Sequence, residues 1–219
     1  WRRSPHPASE YNIDEISLKP FNVIASMLDH KALYPIIQSQ IQASFESDSL
    51  SHQISGLLIF KTLLERFPDL IYNEIDTVVN FISSALSSEE DLLRESSLRV
   101  IQSFVDSYYS ANTITHNFVP LIFPNLLSPT PEVRLQAFKA LFDIFEKLDI
   151  KIQGFLEQIL QISDEVPQDN FIEYLTLIGV VVNSTDEFTD DDCDKIINII
   201  NSMIETKDSQ NIAVCFEIA

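Results

Sequence analysis

The sequence predicts an all-α chain assembled from repeated antiparallel helix pairs. Three observations predict it: a motif recurs about every 40 residues, apolar residues return at helical spacing throughout, and glycine is nearly absent. Gly56, Gly154 and Gly179 are the only glycines in 219 residues. A sheet protein joined by many tight turns needs more, because glycine supplies the positive φ angles those turns demand. All three fall inside apolar periodic stretches, so each reads as a small residue where helices come close.

The repeat is visible when three segments are aligned. His52-Gln-Ile-Ser-Gly-Leu-Leu-Ile-Phe-Lys-Thr-Leu-Leu64 matches Leu93-Arg-Glu-Ser-Ser-Leu-Arg-Val-Ile-Gln-Ser-Phe-Val105, and both match Val133-Arg-Leu-Gln-Ala-Phe-Lys-Ala-Leu-Phe-Asp-Ile-Phe145. Gly56, Ser97 and Ala137 share one register, and Gln53, Arg94 and Arg134 share another, at offsets of 41 and 40 residues. A weaker copy, Phe171 to Val182, follows at an offset of about 38, and a last one starts near Ile212. A period near 40 is that of HEAT or armadillo units. The expected fold is therefore an α-solenoid of about five such pairs in a right-handed superhelical stack. It forms a single fragment over 1–219, with repeats near 18–47, 49–87, 89–128, 130–165 and 167–205 and a partial one at 207–219.

A second amphipathic stretch accompanies each copy: Pro35–Glu46, Tyr72–Leu86, Ile114–Leu127, Ile152–Ile162 and Asp190–Ile204. In the last, Ile196, Ile197, Ile199, Ile200, Met203 and Ile204 mark an apolar face. Thr130-Pro131-Glu132 supplies an N-cap, a proline at the first helical position and an acid in the first turn. Phe67-Pro68-Asp69 stops one helix before the next begins. One helix pair cannot cover its own apolar face, so stacked pairs share a core and leave a long concave surface. Pro120 and Pro124 lie inside the third of the second helices. Each removes a backbone donor, which predicts a kink there, read either as groove shaping or as a tolerated bend.

Composition narrows the function. Hydrophobic residues make up 45% of the chain, too many for disorder. Asp and Glu outnumber Lys and Arg by 33 to 14, a formal charge of −19 that repels phosphate backbones and anionic lipid. The acid either attracts a basic protein partner or only keeps the chain soluble. Cys193 and Cys215 stand in no C-x-x-C spacing, which suggests buried thiols in a reducing compartment. No apolar run approaches the roughly 20 residues of a membrane span. The chain starts at Trp1 and stops within the apolar stretch Ile212–Ile218, so a piece of a longer protein is expected.

Residues 21 to 66 carry a family resemblance. Ile24-Ala-Ser-Met-Leu-Asp29, Leu33-Tyr-Pro-Ile-Ile37 and Ser55-Gly-Leu-Leu-Ile-Phe-Lys-Thr-Leu-Leu-Glu65 together resemble the middle of the importin-β superfamily of nuclear transport receptors. In that family a Trp precedes an acidic linker, then a helix ending in Leu-Asp, a Leu-x-Pro start and a Gly-Leu helix. Trp1 and the stretch around Ser9-Glu10 and Asp14-Glu15 stand in matching places. Pro131-Glu-Val-Arg-Leu-Gln-Ala137 is similar to the general HEAT pattern. Leu50 and Gln53 depart from the aromatic and arginine usual before the Gly-Leu helix.

The resemblance implies basic cargo signals and the GTPase Ran on the concave, second-helix side. It also implies phenylalanine-glycine nucleoporins between first helices on the convex side, and residence in cytoplasm, nucleus and nuclear pore. Candidate protein-binding residues are accordingly Glu74, Asp76, Glu157 and the cluster Asp190, Asp191, Asp192 and Asp194. Between Asp164 and Glu205 eleven acids face one base, Lys195. That density raises the encounter rate with a Lys/Arg-rich segment, or else it complements a helix dipole and stays solvated. Phe60, Phe104, Phe138 and Phe142 either border slots for phenylalanine side chains or belong to the core.

Catalytic and cofactor chemistry have no footing in the sequence. No two glycines lie close enough for a phosphate loop. His6, His30, His52 and His116 lack partners at metal-ligand spacing. The run Asp186 to Asp194 lacks the central glycine and closing glutamate of a calcium loop. No serine sits in a Gly-x-Ser-x-Gly elbow. The expectation is a binding protein without enzyme activity, cofactor or metal. The alternative within that class is a static HEAT scaffold for a phosphatase, vesicle-coat or other assembly.

Overall fold

A computed structural model describes residues 23, 30–67, 75–107, 117–148, 154–185 and 188–205. Trp1, the Ser9–Glu15 stretch, the Ile24–Asp29 run, Glu74, Cys215 and the expected partial repeat at 207–219 lie outside the described residues. Among the described residues every regular element is helical, so the chain is all-α. In order they are α1 (His30–Phe45), α2 (Leu50–Arg66), α3 (Ile75–Leu86), α4 (Asp91–Ser107) and α5 (Val119–Ile122), which a 3₁₀ helix (Phe123–Leu127) follows directly. Then come α6 (Pro131–Leu148), α7 (Phe155–Gln161), a 3₁₀ turn (Gln168–Asn170), α8 (Phe171–Ser184) and α9 (Asp190–Glu205). The chain divides into two compact units, Trp1–Glu74 and Ile75–Ala219.

In the first unit α1 packs on α2, and a glycine sets how closely. A Cβ added to Gly56 lies 2.8 Å from Ser44 Cβ and 3.0 Å from Phe45 Cε1, so only hydrogen fits where the helices meet. Ile37 and Ile41 of α1, with Leu57, Phe60, Leu63 and Leu64 of α2, are buried. Gln53 Nε2 donates to Ser47 O at 2.8 Å and ties α2 to the turn before it. Helix α1 begins upstream of the expected Pro35, which falls exposed inside it.

The second unit is built as two rows of helices. In one row α4 packs on α6 and α6 on α8. In the other, α3 meets α5 and α7 meets α9, while α3 rests on α4, the 3₁₀ helix on α6 and α7 on α8. Aromatic pairs bind the rows. Phe104 meets Phe118 edge-on at 5.9 Å, Phe138 meets Tyr174 at 6.4 Å, and Phe145 stacks on Phe155 at 4.7 Å. Phe123 and Phe155 join consecutive members of the second row at 5.8 Å. Ser97 and Ala137, the expected small positions, are fully buried between helices.

Four expectations are corrected. The first helices α2, α4, α6 and α8 start at Leu50, Asp91, Pro131 and Phe171, so successive starts lie 41, 40 and 40 residues apart rather than 38 at the end. In that register the fourth copy carries Tyr174 in place of Arg134 and Leu177 in place of Ala137. The loss of both marker residues let the sequence alignment drift by two. Gly154 is no close-approach residue: it takes a left-handed φ of 73° before α7 and has nothing within 4 Å of an added Cβ. Helix α7 therefore starts only at Phe155. Pro120 and Pro124 produce two short helices instead of one kinked helix. Each proline occupies a first-turn position, where no intrahelical donor is required. Finally, Cys193 is only half-buried, with a free thiol, because it lies near the polar start of α9.

Candidate protein-interaction site

The acids expected to bind partners are drawn largely into local structure. Helix α9 opens with Asp190, Asp191 and Asp192 in its first turn. Thr189 and Asp192 form a reciprocal capping box: Thr189 N–H donates to Asp192 Oδ2 at 3.1 Å, and Asp192 N–H donates to Thr189 Oγ1 at 3.2 Å. The Thr189 hydroxyl also donates to Asp192 Oδ2, at 2.6 Å. Asp191 Oδ2 pairs with Lys195 Nζ at 2.6 Å, one turn along the helix. This bond, with the nearby Asp192 and Glu157 charges, holds the Lys195 ammonium above its ordinary value. Asp191 and Asp192 thus serve their own helix, while Asp190 and Asp194 are exposed.

The fold also brings Glu157 to this cluster. It stands exposed in the first turn of α7, which packs on α9, and its charge reaches Lys195. Gln161 Nε2 donates to Glu157 Oε1 at 3.3 Å. Asp76 is exposed in the first turn of α3. Glu74 lies outside the described residues.

Polar residues of the first-helix register tie successive pairs together. Arg134, 5% exposed, donates from Nη1 to Ser128 O at 2.9 Å and Pro129 O at 3.1 Å, and from Nε to Asn170 Oδ1 at 2.7 Å. Its Nη2 reaches Asp169 Oδ1 and Oδ2 at 3.2 and 3.0 Å. One guanidinium therefore fixes the loop before its own helix and the turn before the next. Arg94 repeats the pattern more weakly, pairing with Asp91 and reaching Ser128 Oγ at 3.5 Å. The expected N-cap Thr130 gives its hydroxyl to Asp91 of the preceding pair. The Thr130 and Arg94 hydrogen bonds hold the Asp91 carboxyl below its ordinary value. In the fourth copy the Tyr174 hydroxyl donates to Ile159 O at 3.0 Å instead.

Phe60, Phe104 and Phe138 are at most 1% exposed, so they are core residues and not walls of open slots. They face inward because their helices bury the stripe that meets the second row. Phe142 is different. One turn beyond Phe138 on α6, it is half-buried and lines a groove of about 310 Å³ that runs across α4, α6 and α8. Phe138, Phe142 and Ile172 give the groove its apolar lining, with Lys139, Asp143 and Glu173 beside them. Asp143 is neutralised by Lys147 at 2.9 Å, and Lys147 also meets Asp106 at 2.7 Å. Sequence reasoning found the two phenylalanines but missed Ile172 and Glu173. Those join the groove only because α8 packs against α6.

Among the described residues no group of three or more His, Cys, Asp or Glu is placed to hold a metal ion, and no helix is long and apolar enough to cross a membrane. In sequence the chain matches no protein-family model and no curated protein.

Proposed function

We propose that this chain is a protein-binding HEAT-repeat solenoid segment, and that the protein containing it is a nuclear transport receptor of the importin-β kind. The observation that carries the binding-segment reading is the two-row packing of the second unit. First helices stack on first helices and second helices line the other side, each pair advancing by about 40 residues. Such a stack grows by adding pairs and presents two long faces to other proteins rather than one closed pocket. The receptor reading adds the resemblance of residues 21 to 66 and the charge of −19. In it, Asp76, Glu157, Asp190 and Asp194 receive basic cargo segments or Ran, and the Phe142 groove receives phenylalanine-glycine repeats.

A static scaffold for a multiprotein assembly is the second reading. It is favoured by one observation: Asp191 and Asp192, half of the expected acidic cluster, are spent on their own helix. Binding of the protein to Ran separates the two. A receptor binds the GTP-loaded form in preference to the GDP-loaded form, and also retains phenylalanine-glycine repeats. A stoichiometric complex indifferent to the nucleotide on Ran would establish the scaffold instead.

A further inference from the structure

The groove across α4, α6 and α8 holds one polar atom that the fold leaves unsatisfied. Glu173 Oε2 is buried from solvent and has no hydrogen-bond partner. Native proteins leave few buried oxygens in that condition, and a carboxylate oxygen stripped of water without a donor is among the more costly ones. The other charges of the groove are differently placed. Asp143 is occupied by Lys147 at 2.9 Å. Lys139 is exposed at the rim, where a long ammonium side chain stays hydrated without a partner. Glu173 is therefore the group whose solvation an arriving cation changes most. Beside it Phe138, Phe142 and Ile172 form the apolar lining, large enough for one aromatic or branched side chain.

We propose that this groove is a docking site for a short peptide segment that places an aromatic side chain on Phe142 and an adjacent lysine or arginine on Glu173. The inference rests on the reading of the first-helix row as a protein-binding face and adds the chemistry of what it takes. An apolar side chain alone leaves the Glu173 oxygen still without a donor. A cation alone forgoes the apolar contact. The pair of features in adjacent residues satisfies both, and a bound ammonium or guanidinium gains a charge-assisted hydrogen bond in a site already sheltered from water.

Fluorescence anisotropy on the 219-residue chain tests this with labelled, end-capped peptides that differ at two positions: Phe-Lys, Phe-norleucine, Ala-Lys and Phe-Asp in an otherwise Gly-Ser background. The Phe-Lys peptide is expected to bind most tightly, with losses of about fivefold on going to norleucine and more on going to Ala. Glu173→Gln removes the charge at constant shape and should abolish the Lys-over-norleucine preference while leaving Phe-norleucine binding unchanged. Phe142→Ala should weaken every Phe peptide, with helicity and unfolding midpoint measured in parallel. The proposal is overturned if Lys and norleucine peptides bind alike, if Phe-Asp binds best (Lys139 would then select the partner), or if Glu173→Gln changes all peptides equally. Absence of any peptide binding overturns it as well. That result leaves the broader reading intact wherever the protein still binds Ran or a copurifying partner, so the two failures are distinguishable.

Discussion

Two side chains show how much a single residue fixes here. Arg134 satisfies two loop carbonyls, the buried Asn170 amide oxygen and Asp169 at once. Removing it strands buried acceptors in addition to losing an ion pair, so Arg134→Ala should destabilise the chain by about 2–4 kcal/mol in urea unfolding. Arg134→Lys should recover little of that, because an ammonium cannot span the same fork of acceptors. Arg94→Ala should cost clearly less, since its partner Asp91 is largely solvated. Tyr174 makes a second prediction. Burial, reinforced by the negative charge of Asp164, drives its phenol far above the ordinary value of 10. A group whose folded value is raised contributes stability that is complete below its unfolded value and is lost as pH rises past it. Stability should therefore fall above about pH 10. Tyr174→Phe should flatten that fall between about pH 10 and 12 while costing about 1 kcal/mol at neutral pH for the bond to Ile159 O. Unfolding curves across the alkaline range measure both effects.

At the scale of the helix, the glycines separate two roles that sequence alone made identical. Gly56 is required by distance, because a methyl group there meets Ser44 Cβ at 2.8 Å with side chain on one side and helix on the other. Gly154 is required by conformation, since φ of 73° strains any residue bearing a Cβ, although the space beside it is open. Gly56→Ala should cost about 1–3 kcal/mol through overpacking of α1 on α2. Gly154→Ala should cost about 1 kcal/mol through backbone strain. A D-alanine placed at each position by chemical ligation distinguishes the causes. It should relieve the penalty at 154 and not at 56. The short helices obey the same logic. Pro120 and Pro124 each begin a helix, so the segment from Val119 to Leu127 breaks where a donor is missing and loses no hydrogen bond in doing so.

Over the whole molecule, the charge of −19 sets a field that any basic partner meets before it meets a particular acid. Binding of a Lys/Arg-rich peptide should accordingly weaken several-fold between about 50 and 200 mM salt. The fold refines which acids matter. Asp192→Asn damages the cap of α9, so it tests stability more than recognition. The informative variant is Asp190→Asn with Asp194→Asn, which changes two exposed carboxylates. A loss of peptide affinity with an unchanged unfolding midpoint places recognition on α9. Unchanged affinity assigns the attraction to the overall field.

What the sequence determined by itself was the helical class, the helix count within each repeat and the 40-residue step. Those follow from local periodicity, punctuation by proline, and the marker residues Gly56, Ser97, Ala137, Arg94 and Arg134, all properties of neighbouring residues. It also marked the acidic run and the Phe138–Phe142 pair. Tertiary structure alone decided which of those residues are available. Asp191 and Asp192 turned out to be bound within α9, and Phe60, Phe104 and Phe138 turned inward. Phe142 joined Ile172 and Glu173 from the next first helix in one groove. Availability depends on what packs against a side chain from residues some 30 to 40 positions away. Periodicity within one helix carries no information about that, because the same apolar stripe is drawn whether its partner covers all of it or leaves one turn open.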